Sequence, residues 1–166
     1  MIEAELTLIK KWMSGVEGPI LDVGSSTADF RAREKCPYDL AQLTGLEVVS
    51  FDAKHAPGVD IVGDAEQMSL FLNGRTFPAI VCTSLFEHVR RPWIVAAECY
   101  QALRPGGRLF ASAPWVYEWH SDPLDCYRFS IEGLRSICLD PGFRELSEGE
   151  IRFGTAIISF FVGEKR

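Results

Sequence analysis

Residues Pro19–Thr27 read PILDVGSST, a strand running into a glycine turn from which the rest of the architecture follows. A short apolar run rich in Ile, Leu and Val predicts a buried strand over Pro19–Val23. It runs straight into Gly24-Ser25-Ser26-Thr27, where a helix is expected to start; Pro37 must end it, because an interior proline breaks the hydrogen-bond ladder. Upstream, Ile2, Leu6, Ile9 and Met13 recur at helical spacing until Ser14-Gly15. Downstream, Glu47–Asp52 and Val59–Asp64 are two more strands, each ending on an acid. Asn73-Gly74 marks a turn, and Ala79–Thr83 is a fourth strand. Pro92 suits the first turn of a helix that reaches Leu103 and closes at Pro105-Gly106-Gly107. A fifth strand, Arg108–Ser112, follows.

A long polar and aromatic loop spans Pro114–Phe129. Ser130 then reads as a helix N-cap, with Phe129 and Leu134 spaced as a hydrophobic staple. Ile131, Leu134, Ile137 and Cys138 form that helix's inner face, and Asp140-Pro141-Gly142 stops it. Two last strands are expected near Phe143–Glu148 and Thr155–Val162. Strands alternating with helices imply a mostly parallel sheet covered on both faces. The final pair is joined by too few residues, around Gly149–Gly154, for a parallel crossover, so it must be antiparallel. The run Ala156–Val162 is apolar on both faces and would aggregate at an open edge, which places it inside the sheet.

The chain of 166 residues is one domain's worth, with no repeat or linker to divide it. A net charge of −6 argues against broad nucleic-acid binding, which needs a basic face. Apolar runs are too short to span a bilayer. The acidic start Met1–Glu5 does not resemble a secretory signal, and five scattered cysteines without a Cys-x-x-Cys pair predict reduced thiols. Together these point to a cytoplasmic protein; a monomer or homodimer is expected. His55, His88 and His120 lie far apart in the chain without partnered Cys or Glu spacing, so no metal constellation is expected.

Five stretches carry a resemblance: Ile20–Phe30 (ILDVGSSTADF), Val48–Asp52 (VVSFD), Gly63–Glu66 (GDAE), Ser84–Val89 (SLFEHV) and Leu103–Arg108 (LRPGGR). In this order the chain resembles the class I, Rossmann-like, seven-stranded S-adenosylmethionine-dependent methyltransferases over nearly its whole length. The loop His120–Ser130 (HSDPLDCYRFS) is similar to that of a subgroup with a His-Pro-Asp-Tyr-Arg-Phe signature after the fifth strand. The resemblance implies a three-layer α/β fold whose last strand is inserted antiparallel. It also implies S-adenosylmethionine as cofactor and S-adenosylhomocysteine as product.

Open parallel sheets bind ligands at the carboxyl ends of strands where the strand order reverses. Gly24 is expected there, with the amides of Ser25, Ser26 and Thr27 meeting the cofactor's amino-acid end. Asp52 can accept both ribose hydroxyls, since an ionised carboxylate only accepts. Asp64 can accept the adenine amino group, with the Ala65 backbone at the ring edge. Thr83 and Ser84 line the methionine arm, and Asp22, Ala53 and Glu66 complete the expected cofactor set. His88 is expected to position the cofactor or brace the structure.

The acceptor pocket is expected in the loop after the fifth strand, lined by Trp115, Tyr117, His120, Tyr127 and Arg128. His120 is the candidate base or acceptor anchor and Asp125 can orient it. Arg128 can pair with an anionic acceptor or with a structural acid; alternatively His120, Asp125 and Arg128 only brace the loop.

The functional expectation is methyl transfer to a small-molecule, saccharide or lipid-linked acceptor. Where the family has Gly-x-Gly-x-Gly, this chain has Gly24-Ser25-Ser26-Thr27-Ala28. A non-glycine residue held at positive φ costs roughly 1–2 kcal/mol. This departure motivates the alternative, a non-catalytic domain with weakened cofactor binding that serves as an interaction module. A nicotinamide dehydrogenase fits worse, because Gly-x-Gly-x-x-Gly is missing.

Overall fold

The computed structural model describes residues 3–25, 39–120 and 124–166. Seven strands form one sheet in the order β3-β2-β1-β4-β5-β7-β6. These are β1 (Ile20–Val23), β2 (Val48–Asp52), β3 (Ile61–Val62), β4 (Phe77–Thr83), β5 (Leu103–Val116), β6 (Arg144–Phe153) and β7 (Ala156–Glu164). The helices are α1 (Glu3–Met13), α2 (Leu40–Thr44), α3 (Met68–Leu72), α4 (Pro92–Ala102) and α5 (Ile131–Leu139). β1 to β5 pair in parallel, whereas β7 is antiparallel to both β5 and β6. The doubly apolar strand therefore lies between two neighbours, and the fold is the Rossmann-like methyltransferase plan expected above.

Period-two alternation divides the core into two layers. Ile80 and Cys82 of β4, with Phe161 of β7, join the layer under α3, α4 and α5. Ala79 and Val81, with Phe160 and Val162, join the layer under α1 and α2. The Ser130 hydroxyl caps α5 by accepting from Gly133 N at 3.1 Å, and the flanking Phe129 and Leu134 are both buried in the core. Cys82, Cys99 and Cys138 are buried free thiols, and Cys126 is an exposed one.

Several boundaries differ from the sequence expectation. β5 starts at Leu103 rather than Arg108, because Gly106 and Gly107 exchange backbone hydrogen bonds with Lys165 at 2.8 and 2.9 Å. Its other end runs on to Val116, held against Ile157. β6 extends to Phe153, so the final turn shrinks to Gly154-Thr155. The short helices α2 and α3 were not anticipated. The helix expected between Thr27 and Pro37 lies outside the described residues. No helix among the described residues is long and apolar enough to cross a membrane.

Candidate functional site

The strand order reverses between β1 and β4, and the loops at their carboxyl ends gather the expected residues. Gly24 leaves β1 at φ +75 with its N–H donating to Phe51 O at 2.9 Å. A Cβ there would stand 3.1 Å from Leu85 Cβ. A Gly24→Ala change therefore combines backbone strain with crowding, and is expected to cost about 2 kcal/mol in a denaturation midpoint measurement. Asp22 and Ser25 are buried beside it. Ser26 and Thr27 lie outside the described residues.

Asp52 ends β2 and Asp64 follows β3, the adjacent strand. Asp52 Oδ1 accepts from Lys54 N at 2.9 Å, and Asp64 Oδ1 accepts from Glu66 N at 2.9 Å, each shaping its own turn. A carboxylate has about four acceptor sites, so each bond leaves capacity for a ligand. Ala53 is exposed next to Asp52, and Ala65 is buried as it opens a 3-10 turn over Ala65–Gln67.

Glu66, expected in the cofactor set, clamps the start of α4. Its oxygens accept from Arg90 N and Arg91 N, both at 2.9 Å, and from Arg91 Nε at 2.7 Å. Burial opposes its ionisation, but these Arg91 and Arg90 contacts outweigh it and hold the carboxyl below its usual range. Thr83 is buried at the end of β4, and exposed Ser84 takes φ +49, a rare conformation for a non-glycine residue. Such strained positions cluster at functional sites.

The loop after β5 docks on the turn after β4. Cys126 N donates to Glu87 O at 2.7 Å, and Tyr127 Oη donates to Arg90 O at 2.9 Å. Arg128 is the hub of this loop. Its two terminal nitrogens grip both oxygens of Asp125. The remaining donor capacity reaches Tyr117 O (3.3 Å), Tyr127 O (2.8 Å) and Glu118 O (2.9 Å). Asp125 also accepts from His120 N at 2.7 Å. The Arg128 guanidinium holds the Asp125 carboxyl well below the usual carboxylate range. Trp115 and Tyr117 are exposed, and the Tyr117 ring stands edge-on to His120 at 5.0 Å.

Sequence spacing kept the histidines apart; the fold does not. His88 and His120 meet edge to face, with ring centroids 5.0 Å apart. Between them and the core lies Glu87, fully buried. Burial pushes its carboxyl up to about 8, opposed by its own backbone amide and by Arg128 and helped by Asp125 and Glu5. A second buried carboxylate, Glu5 of α1, accepts from the Ser112 hydroxyl on β5. Sequence reasoning singled out neither acid for the site. The available signal for Glu5 was its four-residue spacing from Ile9 and Met13, which puts it on the inner stripe of α1.

A family model described as a methyltransferase domain matches residues 21–111, which include Gly24, Asp52, Asp64 and Ser84. Malonyl-[acyl-carrier protein] O-methyltransferase of Methylococcus capsulatus is 32% identical over 98 residues, which cover 54% of this chain but only 35% of that protein. The chain thus spans about a third of that curated relative's length. Among solved structures, the 1,6-didemethyltoxoflavin-N1-methyltransferase of Burkholderia thailandensis, with bound 1,6-didemethyltoxoflavin and S-adenosylhomocysteine, superposes with a TM-score of 0.72. The match is 14% identical and covers 98% of this chain and 77% of that one. The N-methyltransferase NodS of Bradyrhizobium japonicum, with S-adenosylhomocysteine, superposes with a TM-score of 0.70 at 15% identity, covering 98% and 86%. The structural likeness is one of fold, and the sequence match over more than half the chain supplies the rest: this chain belongs to the methyltransferase-domain family.

Proposed function

We propose that the chain is an S-adenosylmethionine-dependent methyltransferase acting on a small-molecule, saccharide or lipid-linked acceptor. One observation carries the reading: Asp52 and Asp64 stand at the carboxyl ends of the adjacent parallel strands β2 and β3, beside the positive-φ Gly24 that leaves β1. A carboxylate pair in that place suits a ribose diol and an exocyclic amine. Gly24 to Thr27 would face the amino-acid end, Asp52 the ribose hydroxyls, Asp64 and Ala65 the adenine, and Thr83 and Ser84 the methionine arm. When bound, the cofactor supplies a methyl carbon activated by positive sulfur.

The chain's remaining tasks are alignment and exclusion of water. Trp115, Tyr117 and Tyr127 would flank the acceptor. His120 Nδ1 lies 2.9 Å from Glu118 O. A carbonyl only accepts, so Nδ1 holds the proton and Nε2 is the nitrogen left to take a proton or anchor an acceptor. Of the relatives named above, the 1,6-didemethyltoxoflavin-N1-methyltransferase supports a small-molecule acceptor, whereas the malonyl-[acyl-carrier protein] O-methyltransferase is named for an acceptor carried on a protein.

Calorimetric titration with S-adenosylmethionine and S-adenosylhomocysteine tests the reading. Micromolar binding, about −8 kcal/mol, is expected for both. No heat from either ligand would favour the non-catalytic domain that Ser26 motivates.

A further inference from the structure

Glu87, His88 and His120 each present one ligand-capable atom, and the three atoms all lie within 4.8 Å of one another. Glu87 is fully buried, and among the described residues no other residue hydrogen-bonds either of its oxygens. A buried carboxylate without partners is costly unless it binds a proton or a cation. The two imidazoles are turned to favour a cation. His88 Nδ1 lies 2.5 Å from Leu124 O, so the proton sits on Nδ1 and the Nε2 lone pair is directed away from that carbonyl. Nε2 stands 3.7 Å from Glu87 Oε1, too far for a direct hydrogen bond. His120 has the same tautomer, set by Glu118 O at 2.9 Å. Histidines whose far nitrogen is tied to a carbonyl, with the near nitrogen unprotonated, are the usual surroundings of a bound metal.

We propose that Glu87, His88 and His120 bind a divalent first-row transition-metal ion. Two imidazole nitrogens and one carboxylate suit zinc, iron, cobalt or manganese better than magnesium or calcium, which prefer all-oxygen sites. Ligand bonds of about 2.0–2.2 Å require the triangle to contract, and half-buried His120, carried on a loop, supplies that movement. Three protein ligands leave at least one coordination position for water or an acceptor.

The consequence for substrate class rests on the methyltransferase reading. An acceptor hydroxyl coordinated there loses its proton to solvent more readily. Its oxygen then bonds to the methyl carbon as the carbon–sulfur bond breaks, with the electron pair staying on sulfur. The site therefore selects oxygen acceptors able to coordinate, and His120 serves as an anchor through the ion rather than as the base.

The test uses the full chain, stripped with a chelator, dialysed, and titrated with Zn2+ by calorimetry and with Co2+ by visible absorbance. One equivalent is expected, with cobalt d–d bands of low-symmetry coordination, and magnesium should give no comparable heat. His120→Ala and Glu87→Gln should each weaken binding on the order of 100-fold. The circular-dichroism melt identifies a variant that fails to fold, and the other then decides. No stoichiometric binding, or binding untouched by the substitution in a folded variant, overturns the site. S-adenosylhomocysteine titrated in parallel separates the two claims. Metal binding without it keeps the site and removes the methyltransferase reading, whereas nucleoside binding without metal removes the site alone.

Discussion

Arg128→Ala is expected to destabilise the protein by about 3–5 kcal/mol, the usual cost of breaking one side of a buried ion pair. The Asp125 side chain has no exposed surface, and Arg128 reaches both of its oxygens. Truncation leaves that carboxylate buried beside Glu87 and removes donors from the carbonyls of Tyr117, Glu118 and Tyr127 at once. In a chain of this size the melting temperature should fall by about 6–12 °C or more. Arg128→Lys should rescue little, because an ammonium cannot reproduce a planar two-pronged contact. The double change Arg128→Met with Asp125→Leu should recover only the part due to the lone charge, since the three carbonyls and His120 N still lose their partners. If Arg128 instead exists to hold an anionic acceptor, Arg128→Ala would leave the melt unchanged and raise KM.

That loop also marks where the sequence stops being legible. The succession of elements and the interior place of the last strand could be read because their signals are local: acids at strand ends, a proline at the start of α4, and the doubly apolar Ala156–Val162. The helices α2 and α3 escaped because each has five residues, too few to display a 3.6-residue period. The extra length of β5 escaped because its partners, Ile157 and Lys165, are remote in sequence. The site divides the same way. Gly24, Asp52 and Asp64 sit at strand ends and announce themselves. The meeting of His88 with His120 depends on one loop docking against another, through Cys126 N to Glu87 O and Tyr127 Oη to Arg90 O. No spacing rule encodes that. Glu5 looked like an ordinary acid in the first turn of a helix, where the dipole favours one. Its spacing from Ile9 and Met13 hints at the inner stripe, and the facing Ser112 of β5 shows it buried.

Asp52→Ala is expected to weaken S-adenosylhomocysteine binding on the order of 100-fold while leaving the melt almost unchanged. Hydrogen bonds to a charged acceptor are worth about 1.5–3 kcal/mol each, and a ribose diol would make two of them on one carboxylate. Losing both should approach about 3 kcal/mol, or two decades in Kd. Asp52 is only partly buried and the bond it accepts from Lys54 N lies in a surface turn, so the melt reads its structural role apart from ligand binding. Asp52→Asn separates charge from shape. One amide oxygen can still accept, but the NH2 group meets hydroxyls better placed to donate, so about a tenfold loss is expected. Asp64→Ala should cost less, because an adenine amine offers a single bond and the capped turn at Glu66 N can use water instead. The ranking Asp52→Ala, then Asp52→Asn and Asp64→Ala, with matched melts, is what a ribose diol on β2 requires. An equal loss at all three, or none at Asp52, would mean that the ligand does not lie across the carboxyl ends of β1 and β2.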